Sequence, residues 1–556
     1  MENQDIDKLV NESSPWLKGD SNWSDKDGSL RELKIAESEG LFSPPKTYFF
    51  LKENFFQKIF ENQELYGTLV IKGPRRIGKT STLNLKIDDL IKEGRPKSSF
   101  IYLTLDEESF FTEVDKKKIL KEILSYIIKN YKPKDNPLIL ILDEVTFYNG
   151  WARVLKNLYD SGIITEGVGV IATGSYSLDL SGAKRELSGR FGPLGEKCGE
   201  EMLFPPRRFL EIAETVLGDS NDFRQTYATN FGSFPKKMGI LEYLAGFQTE
   251  QENQKFSYTR KLNNVLKYYY KDLHKLFSDT YIFAGGYPRK IYLSLKSLRS
   301  GTMTIPDDRY LSDIYQLLVS DVTKFKLEED IIRQILIKIE YPSFQVGGDF
   351  DFFCNLNTKI KIEECKKYLD YLSSSGLFDL IPAILNPLQI NLEKNLINPS
   401  REKLKFTVND PAVFLAIYFG SRGIKSIFAS AENLFSKIPK TKEMLYEAIV
   451  LAHTYRINPI RNNNPKTLAF ILEKKEKSEE ELLDVIGWYS DHKKQLILLP
   501  IEVKTGKLDY SELNRKADRL KQDYSIKRLI VVSDTDQIEI TEKLAVIPIE
   551  LFLLLI

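Results

Sequence analysis

The chain is poor in the residues that most often carry redox and metal chemistry. Its 556 residues include three cysteines, Cys198, Cys354 and Cys365, and three histidines, His274, His453 and His492. There is no CxxC pair, which disfavours a zinc ribbon or a disulfide framework. There is no HExxH or other close histidine pair, which disfavours histidine-based metal chemistry. An excess of either charge is also missing: 79 Lys and Arg stand against 78 Asp and Glu, for a net charge of about +1. No global field draws the protein to nucleic acid, so any DNA contact has to come from a local patch. No run of 18 apolar residues occurs, so a membrane partner is not expected, and the tail VIPIELFLLLI is too short to span a bilayer and reads as a buried strand or helix end. The start, MENQDIDKLVNESS, is polar and acidic and does not resemble a signal peptide; with three thiols expected free, the expected location is the cytoplasm.

What is present is the composition of a soluble globular protein, 42% hydrophobic and 28% charged. At roughly 150 residues per domain the length suggests about four units. Residues 1–65 read as a mixed N-terminal segment, with Trp16 and Trp23 in a loop-like stretch and a helix near Tyr48–Phe60. From Tyr66 to about Gly174, short β-branched runs (GTLVIKG, SFIYLTLD, LILILDE, VGVIATGS) alternate with helical stretches, the pattern of a parallel α/β sheet. Residues 205–300 turn helical and rich in Tyr and Lys, and 305–400 hold several helices and an apolar end. Residues 440–556 return to α/β, with strands TLAFILEK, ELLDVIGWY, QLILLPIEVK and KRLIVVSD.

The segment Gly73-Pro74-Arg75-Arg76-Ile77-Gly78-Lys79-Thr80 fits GxxxxGK[ST], with a buried strand before it and a helix after it. The glycines let backbone N–H groups face phosphates, and the helix N-terminus adds positive potential. Gly73, Arg76, Gly78, Lys79, Thr80 and Ser81 are thus the expected phosphate contacts, with Lys79 on the β- and γ-phosphates and the Thr80 hydroxyl on Mg²⁺. LILILDE ends a strand in two carboxylates: Asp143 is expected to hold Mg²⁺ through water and Glu144 to deprotonate the attacking water. Thr173 and Ser175 close the next strand, where a polar group can meet the γ-phosphate. Arg185 and Arg190 follow in KRELSGR, and an arginine near the γ-phosphate, from the same chain or a neighbouring copy, stabilises the transition state.

Taken together, SPW near the start, GPRRIGKT, ILDE followed by Trp151, LKNLYDSG, TGS, LSGR, LFPPRRF, GGYPRK and a final Glu-x-Lys resemble archaeal and bacterial P-loop ATPases of the AAA+/STAND type. Two departures stand out: Thr146 occupies the place where that family usually has Gln, and Leu187-Ser188-Gly189-Arg190 replaces Leu-Ala-Gly-Arg. The resemblance implies a P-loop sheet, a helical lid, a winged helix and a C-terminal restriction-endonuclease-like domain. On this basis the expected divisions are 1–65 N-terminal segment, 66–204 ATPase core, 205–304 lid with an unmatched insertion near 216–280, 305–400 winged helix and 401–556 nuclease-like domain. The resemblance also implies that Pro288 of Gly285-Gly286-Tyr287-Pro288 lies against the nucleotide. It further implies that Lys366 and Lys367, on a recognition-type helix from Ile362 to Leu369, meet DNA phosphates, with the apolar LFDLIPAIL segment as the wing.

In the C-terminal stretch, residues two apart on a strand share a face, so Glu502 and Lys504 point together while Ile501 and Val503 point into the core. Asp484 on a paired strand and Glu447 on the preceding helix complete the pattern of the PD-(D/E)xK nucleases. There Asp484 and Glu502 would bind Mg²⁺ and Lys504 would stabilise phosphoryl charge. Expected cofactors are ATP and Mg²⁺, and expected partners are ATP or ADP, DNA, and a further copy of the chain or another protein. Three functions compete: an ATP-hydrolysing switch that controls a DNA-binding or nuclease-like domain; a nucleotide-gated signalling or scaffold protein with slow turnover and no nuclease; and an origin-binding initiator ATPase, which would share the core and winged helix but has no reason to carry Glu502-x-Lys504.

Overall fold

Five apolar strands build the first sheet: β1 (Gly67–Lys72), β2 (Phe100–Thr104), β3 (Leu138–Asp143), β4 (Val168–Gly174) and β5 (Glu201–Leu203). They are all parallel, in the order β2-β3-β4-β1-β5. These contacts come from a computed structural model, which describes the chain apart from residues 1–2, 20–21, 106–115, 149, 176–182, 184, 219–220, 232–233, 248–251, 301–307, 321, 324–325, 340–359, 395, 423–434, 437–438, 456–467, 475–478 and 491–495. Cys354 therefore lies outside the described residues.

The chain divides into two compact units, one of residues 1–206 with 374–376 and one of 207–373 with 377–556. In the first, helices cover both faces of the sheet, as continuous β-branched strands require. The expected N-terminal segment belongs to this unit. Ile6, Leu9 and Val10 of α1 (Asn3–Ser13) join the core with Leu140 and Val170. Trp16 donates its indole N–H to Phe100 O at 2.9 Å, and it packs edge-on to Trp23 with ring centroids 4.8 Å apart. Both tryptophans are buried, which a polar flanking sequence conceals.

The second unit holds a mixed eight-stranded sheet. Its strands are β6 (Phe378–Ile384), β9 (Ser400–Val408), β10 (Leu468–Lys474), β11 (Glu479–Ser490), β12 (Leu496–Lys504), β13 (Leu529–Ser533), β14 (Glu539–Ile540) and β15 (Leu544–Pro548). β7 (Ile390–Asn391) and β8 (Leu396–Ile397) form a separate two-stranded sheet whose Ile390 and Ile397 pack against the same core. The order is β14-β15-β13-β12-β11-β10-β6-β9. The boundary expected at 400/401 therefore cuts through β9. β6 pairs with β9 on one side and with β10 on the other, so the expected wing is continuous with the C-terminal sheet. Cys365, in the helix Ile362–Ser374, is disulfide-bonded, and Cys198 is a buried free thiol; the expectation of three free thiols does not hold. Lack of a CxxC pair argues against zinc but not against a single bridge.

The final helix, Ile549–Leu555, is buried along its whole length, as the tail's composition required. Helices of the expected insertion pack around it: Tyr227 OH donates to Leu554 O at 3.3 Å, and His274 Nδ1 lies 2.7 Å from Glu550 Oε1. The hydrogen bond to Glu550 raises the His274 pKa above its ordinary 6.5. A raised folded-state value means the stabilisation is complete below about pH 6.5 and is lost as pH rises through the folded-state value. We expect the stability gap between the parent and His274→Asn to be largest near pH 6 and to close toward pH 9. Thermal melts of both proteins across that range check it, and a pH-independent gap would contradict it. Among the described residues no helix is long and apolar enough to cross a membrane.

Candidate functional site: a phosphate loop and a carboxylate cluster

The first site grows from the carboxyl ends of β1, β3 and β4. After β1 the chain turns sharply before α2 (Lys79–Lys92). A Cβ at Gly73 would stand 2.3 Å from Phe204 O, and Gly78 adopts φ +94°, so only glycine fits at either position. Lys79 is buried and donates to Gly73 O at 2.8 Å and to Pro74 O at 2.9 Å. Burial pushes its pKa down, while Glu144 and Asp143 pull it up. Arg76 is exposed on the loop, and in the first turn of the helix Thr80 is exposed and Ser81 partly buried.

Asp143 ends β3 with both oxygens engaged. Oδ2 accepts from Thr80 Oγ1 at 2.6 Å and from the Tyr102 hydroxyl; Oδ1 accepts from the Thr173 hydroxyl and from Glu144 N at 3.0 Å. These contacts fix the orientation of the carboxylate, and the one from Thr80 comes from a hydroxyl that can turn to an ion. Glu144 follows at φ +53°, a left-handed conformation that few non-glycine residues adopt. Its carboxylate accepts Ser175 Oγ at 3.0 and 2.9 Å. Burial raises the Glu144 pKa, and Lys79 counteracts it. The residues fit a hydrated Mg²⁺: an exposed threonine hydroxyl beside an oriented aspartate supplies the oxygen donors such an ion takes.

The loop, Lys79, Thr80, Asp143, Glu144, Thr173 and Ser175 are thus brought together, while Arg190 is not. Its Nε donates to Asp160 Oδ1 at 2.6 Å, at the end of the helix Trp151–Asp160. The next residue, Phe191, accepts through its carbonyl from Thr68 N at the start of β1. β1 rises roughly 20 Å before it reaches the loop. Arg190 therefore sits at the opposite edge of the sheet and does not serve the phosphate loop of its own core. Two residues unmarked by the motifs stand at the site instead. Tyr102 anchors Asp143, and the charge of Arg75, whose guanidinium lies 5.4 Å from the Phe147 ring centroid, is felt by Lys79 and Glu144.

Pro288 lies in the second unit at the first turn of the helix Pro288–Arg299. The loop before it is held by Asp410: Gly286 N donates to Asp410 Oδ2 at 2.6 Å, and the same carboxylate caps Ala412 N at 2.9 Å. Lys366 and Lys367 are exposed, but Glu363, Glu364 and Asp370 are exposed on the same helix, so that face has no excess positive charge.

The second cluster lies on the eight-stranded sheet. β11 and β12 run antiparallel with Val485 opposite Ile501, which sets Asp484 beside Glu502; Asp484 Oδ2 accepts Val503 N at 2.7 Å. Glu502 is fully buried. Its Oε1 pairs with Lys504 at 3.1 Å and with Lys516, and its Oε2 has no hydrogen-bond partner among the described residues. Lys504 also meets Glu443 Oε1 at 3.2 Å. Burial and the charge of Asp484 raise the Glu502 pKa, and Lys516 and Lys504 oppose this. Glu447, from the helix Pro439–Tyr455, reaches Asp484.

Two members of the cluster are missing from the sequence pattern. Glu481 joins Glu447 and Asp484, with one carboxylate oxygen of each within 4.8 Å of the others. Lys405, on β9 and 1% exposed, donates to Glu447 Oε1 at 2.6 Å, to Glu481 Oε1, and to Asp484 O at 3.3 Å. A spacing of three puts Glu481 and Asp484 on opposite faces of a regular strand. Here the register slips between Ile471 and Leu472 of β10, where Leu483 and Glu481 are the successive partners, and the extra residue on β11 returns both carboxylates to one face.

Residues 66–211 match the family model of an AAA domain. None of the curated proteins is matched by this sequence. Among solved structures, the chain is similar to the Walker-type ATPase PABY2304 of Pyrococcus abyssi, at 14% identity and TM-score 0.29, covering 68% of this chain and 95% of that one. It is similar to the Aeropyrum pernix ORC1 protein in complex with DNA, at 13% identity and TM-score 0.27, covering 64% and 88%. Cdc6p from Pyrobaculum aerophilum gives 12% identity and TM-score 0.23, covering 60% and 86%. The loop and the parallel strand order agree with the family match: residues 66–211 have the P-loop fold of an AAA domain.

Proposed function

We propose that the first unit binds and hydrolyses Mg²⁺–ATP and that its turnover sets the state of a nuclease-like second unit. The observation that carries the first half is the meeting of Lys79, Thr80, Asp143 and Glu144 at the carboxyl ends of neighbouring strands. Bound Mg²⁺ would neutralise the charge that builds up on the phosphates during transfer. Thr80 and Asp143 are the residues to hold it. Lys79, leaving the carbonyls of Gly73 and Pro74, reaches the β- and γ-phosphates. Glu144, oriented by Ser175, takes the proton of the attacking water; a carboxylate raised by burial is suited to that step near neutral pH. Thr173 keeps Asp143 in place.

For the second unit, Asp484, Glu502 and Lys504 support a metal-dependent nuclease that acts on DNA. The unpartnered Glu502 Oε2 is an oxygen that a cation would satisfy. Lys405 favours the other reading, a scaffold that keeps the nuclease-like arrangement without cutting, because its ammonium is already paired with both Glu447 and Glu481.

The test incubates the full chain with plasmid and branched DNA and Mg²⁺ or Mn²⁺, with and without ATP, beside an Asp484→Ala/Glu502→Ala variant. Metal-dependent cutting lost in the variant establishes the nuclease, and a dependence on ATP establishes its control. Intact ATP turnover with no cutting leaves the nucleotide-gated scaffold.

A further inference from the structure

Lys405 is a lysine with no route to solvent, held in a shell of anionic and π acceptors. Its ammonium has three N–H donors. They meet Glu447 Oε1, Glu481 Oε1 and the carbonyl of Asp484, and the Phe470 ring centroid lies 5.1 Å from Nζ. All three donors of the ammonium are thus engaged. Glu447, Glu481 and Asp484 are also the one group of three carboxylates among the described residues whose oxygens converge closely enough for a metal ion. Two of the three already give an oxygen to Lys405.

A divalent ion in that cage would need oxygens at about 2.0–2.6 Å. The Lys405 ammonium stands among the same oxygens, and two like cations cannot share so small a volume in a low-dielectric interior. Lys405 comes from β9, whereas the carboxylates come from β11 and the helix Pro439–Tyr455. The neutralising charge thus belongs to a different element from the acids it neutralises. Nearby, Lys504 and Lys516 engage Glu502 Oε1 and leave Oε2 open.

We infer that Lys405 is a resident cation: it fills the cage of Glu447, Glu481 and Asp484 and excludes divalent metal from it as long as β9 is in place. Any ion taken up beside Asp484 must use Glu502 and do without Glu481. The inference builds on the nuclease-like reading of this cluster. It is tested by ion binding and not by DNA cutting, so the two fail separately.

The experiment counts Mn²⁺ bound to the full-length protein by electron paramagnetic resonance, in the parent, in Lys405→Ala and in Lys405→Ala/Glu481→Gln. An ion held by the first unit is common to all three. Lys405→Ala is expected to bind one more Mn²⁺ than the parent, and adding Glu481→Gln is expected to remove it. Thermal stability of Lys405→Ala is expected to rise with millimolar Mn²⁺ far more than that of the parent. No additional ion in Lys405→Ala overturns the inference.

Should Lys405→Ala not fold, the Glu481→Gln single variant decides. It keeps a one-to-one pair between Lys405 and Glu447. The inference requires it to bind the same number of Mn²⁺ ions as the parent, and loss of an ion overturns it. An extra ion in Lys405→Ala without DNA cutting would sustain the inference and count against the nuclease.

Discussion

Replacing Glu144 with glutamine is expected to slow ATP hydrolysis by about 10²–10⁴-fold, the range a positioned general base supplies, while nucleotide affinity stays near that of the parent. The amide has the size of the carboxylate and still accepts the Ser175 hydroxyl, so the strained turn at φ +53° need not move. What is lost is the basic oxygen. Single-turnover hydrolysis and equilibrium binding of a fluorescent ATP analogue separate the two effects. Lys79→Ala should do the reverse and weaken binding first, because Lys79 is the buried cation of the loop. Parent-like turnover in Glu144→Gln would move the base elsewhere and remove Glu144 from the mechanism.

Much of the first site is legible because its residues follow apolar runs. A strand of LILILD can only be buried, and the strands of a parallel sheet all end at the same edge; Asp143 and Glu144 must then stand at the edge that carries the loop after β1. Tyr102 and Arg75 carry no such signal. Tyr102 reads as one more apolar position of β2 until its hydroxyl is found on Asp143. Arg190 shows the converse, a motif residue whose motif says nothing about which edge of the sheet it occupies. The pairing of Asp484 with Glu502 was within reach of the period-two pattern. Glu481 was not, because a bulge breaks that period at Leu482. Lys405 was hidden by the same rule applied too far: in REKLKFTV, Leu404 and Phe406 alternate with Lys403 and Lys405, which reads as one buried face and one wet face. The helix Pro439–Tyr455 covers the second face, so a position written as solvent-facing became the inside of the unit.

That inversion sets the second large expectation. Lys405→Met is expected to destabilise the second unit by about 3–5 kcal/mol, the cost of leaving buried charge without its partner. Here two carboxylates lose their cation at once. The control separates ion pairing from packing. In Lys405→Met/Glu447→Leu/Glu481→Leu, methionine and leucine replace the buried ions with apolar groups of similar size, and such replacements are commonly neutral or stabilising. The triple variant should recover most of the loss suffered by the single one. Native-state hydrogen exchange of the amides of β11 and β12 reads the stability of this unit apart from the ATPase core. Recovery in the triple variant means that Lys405 is held for its charge and that the cluster is closed by that charge. A triple variant as weak as the single one would mean that the ammonium's place over the Phe470 ring matters more than its pairing with the two carboxylates. The resident-cation account predicts recovery, because it assigns to the ammonium one task, pairing with Glu447 and Glu481.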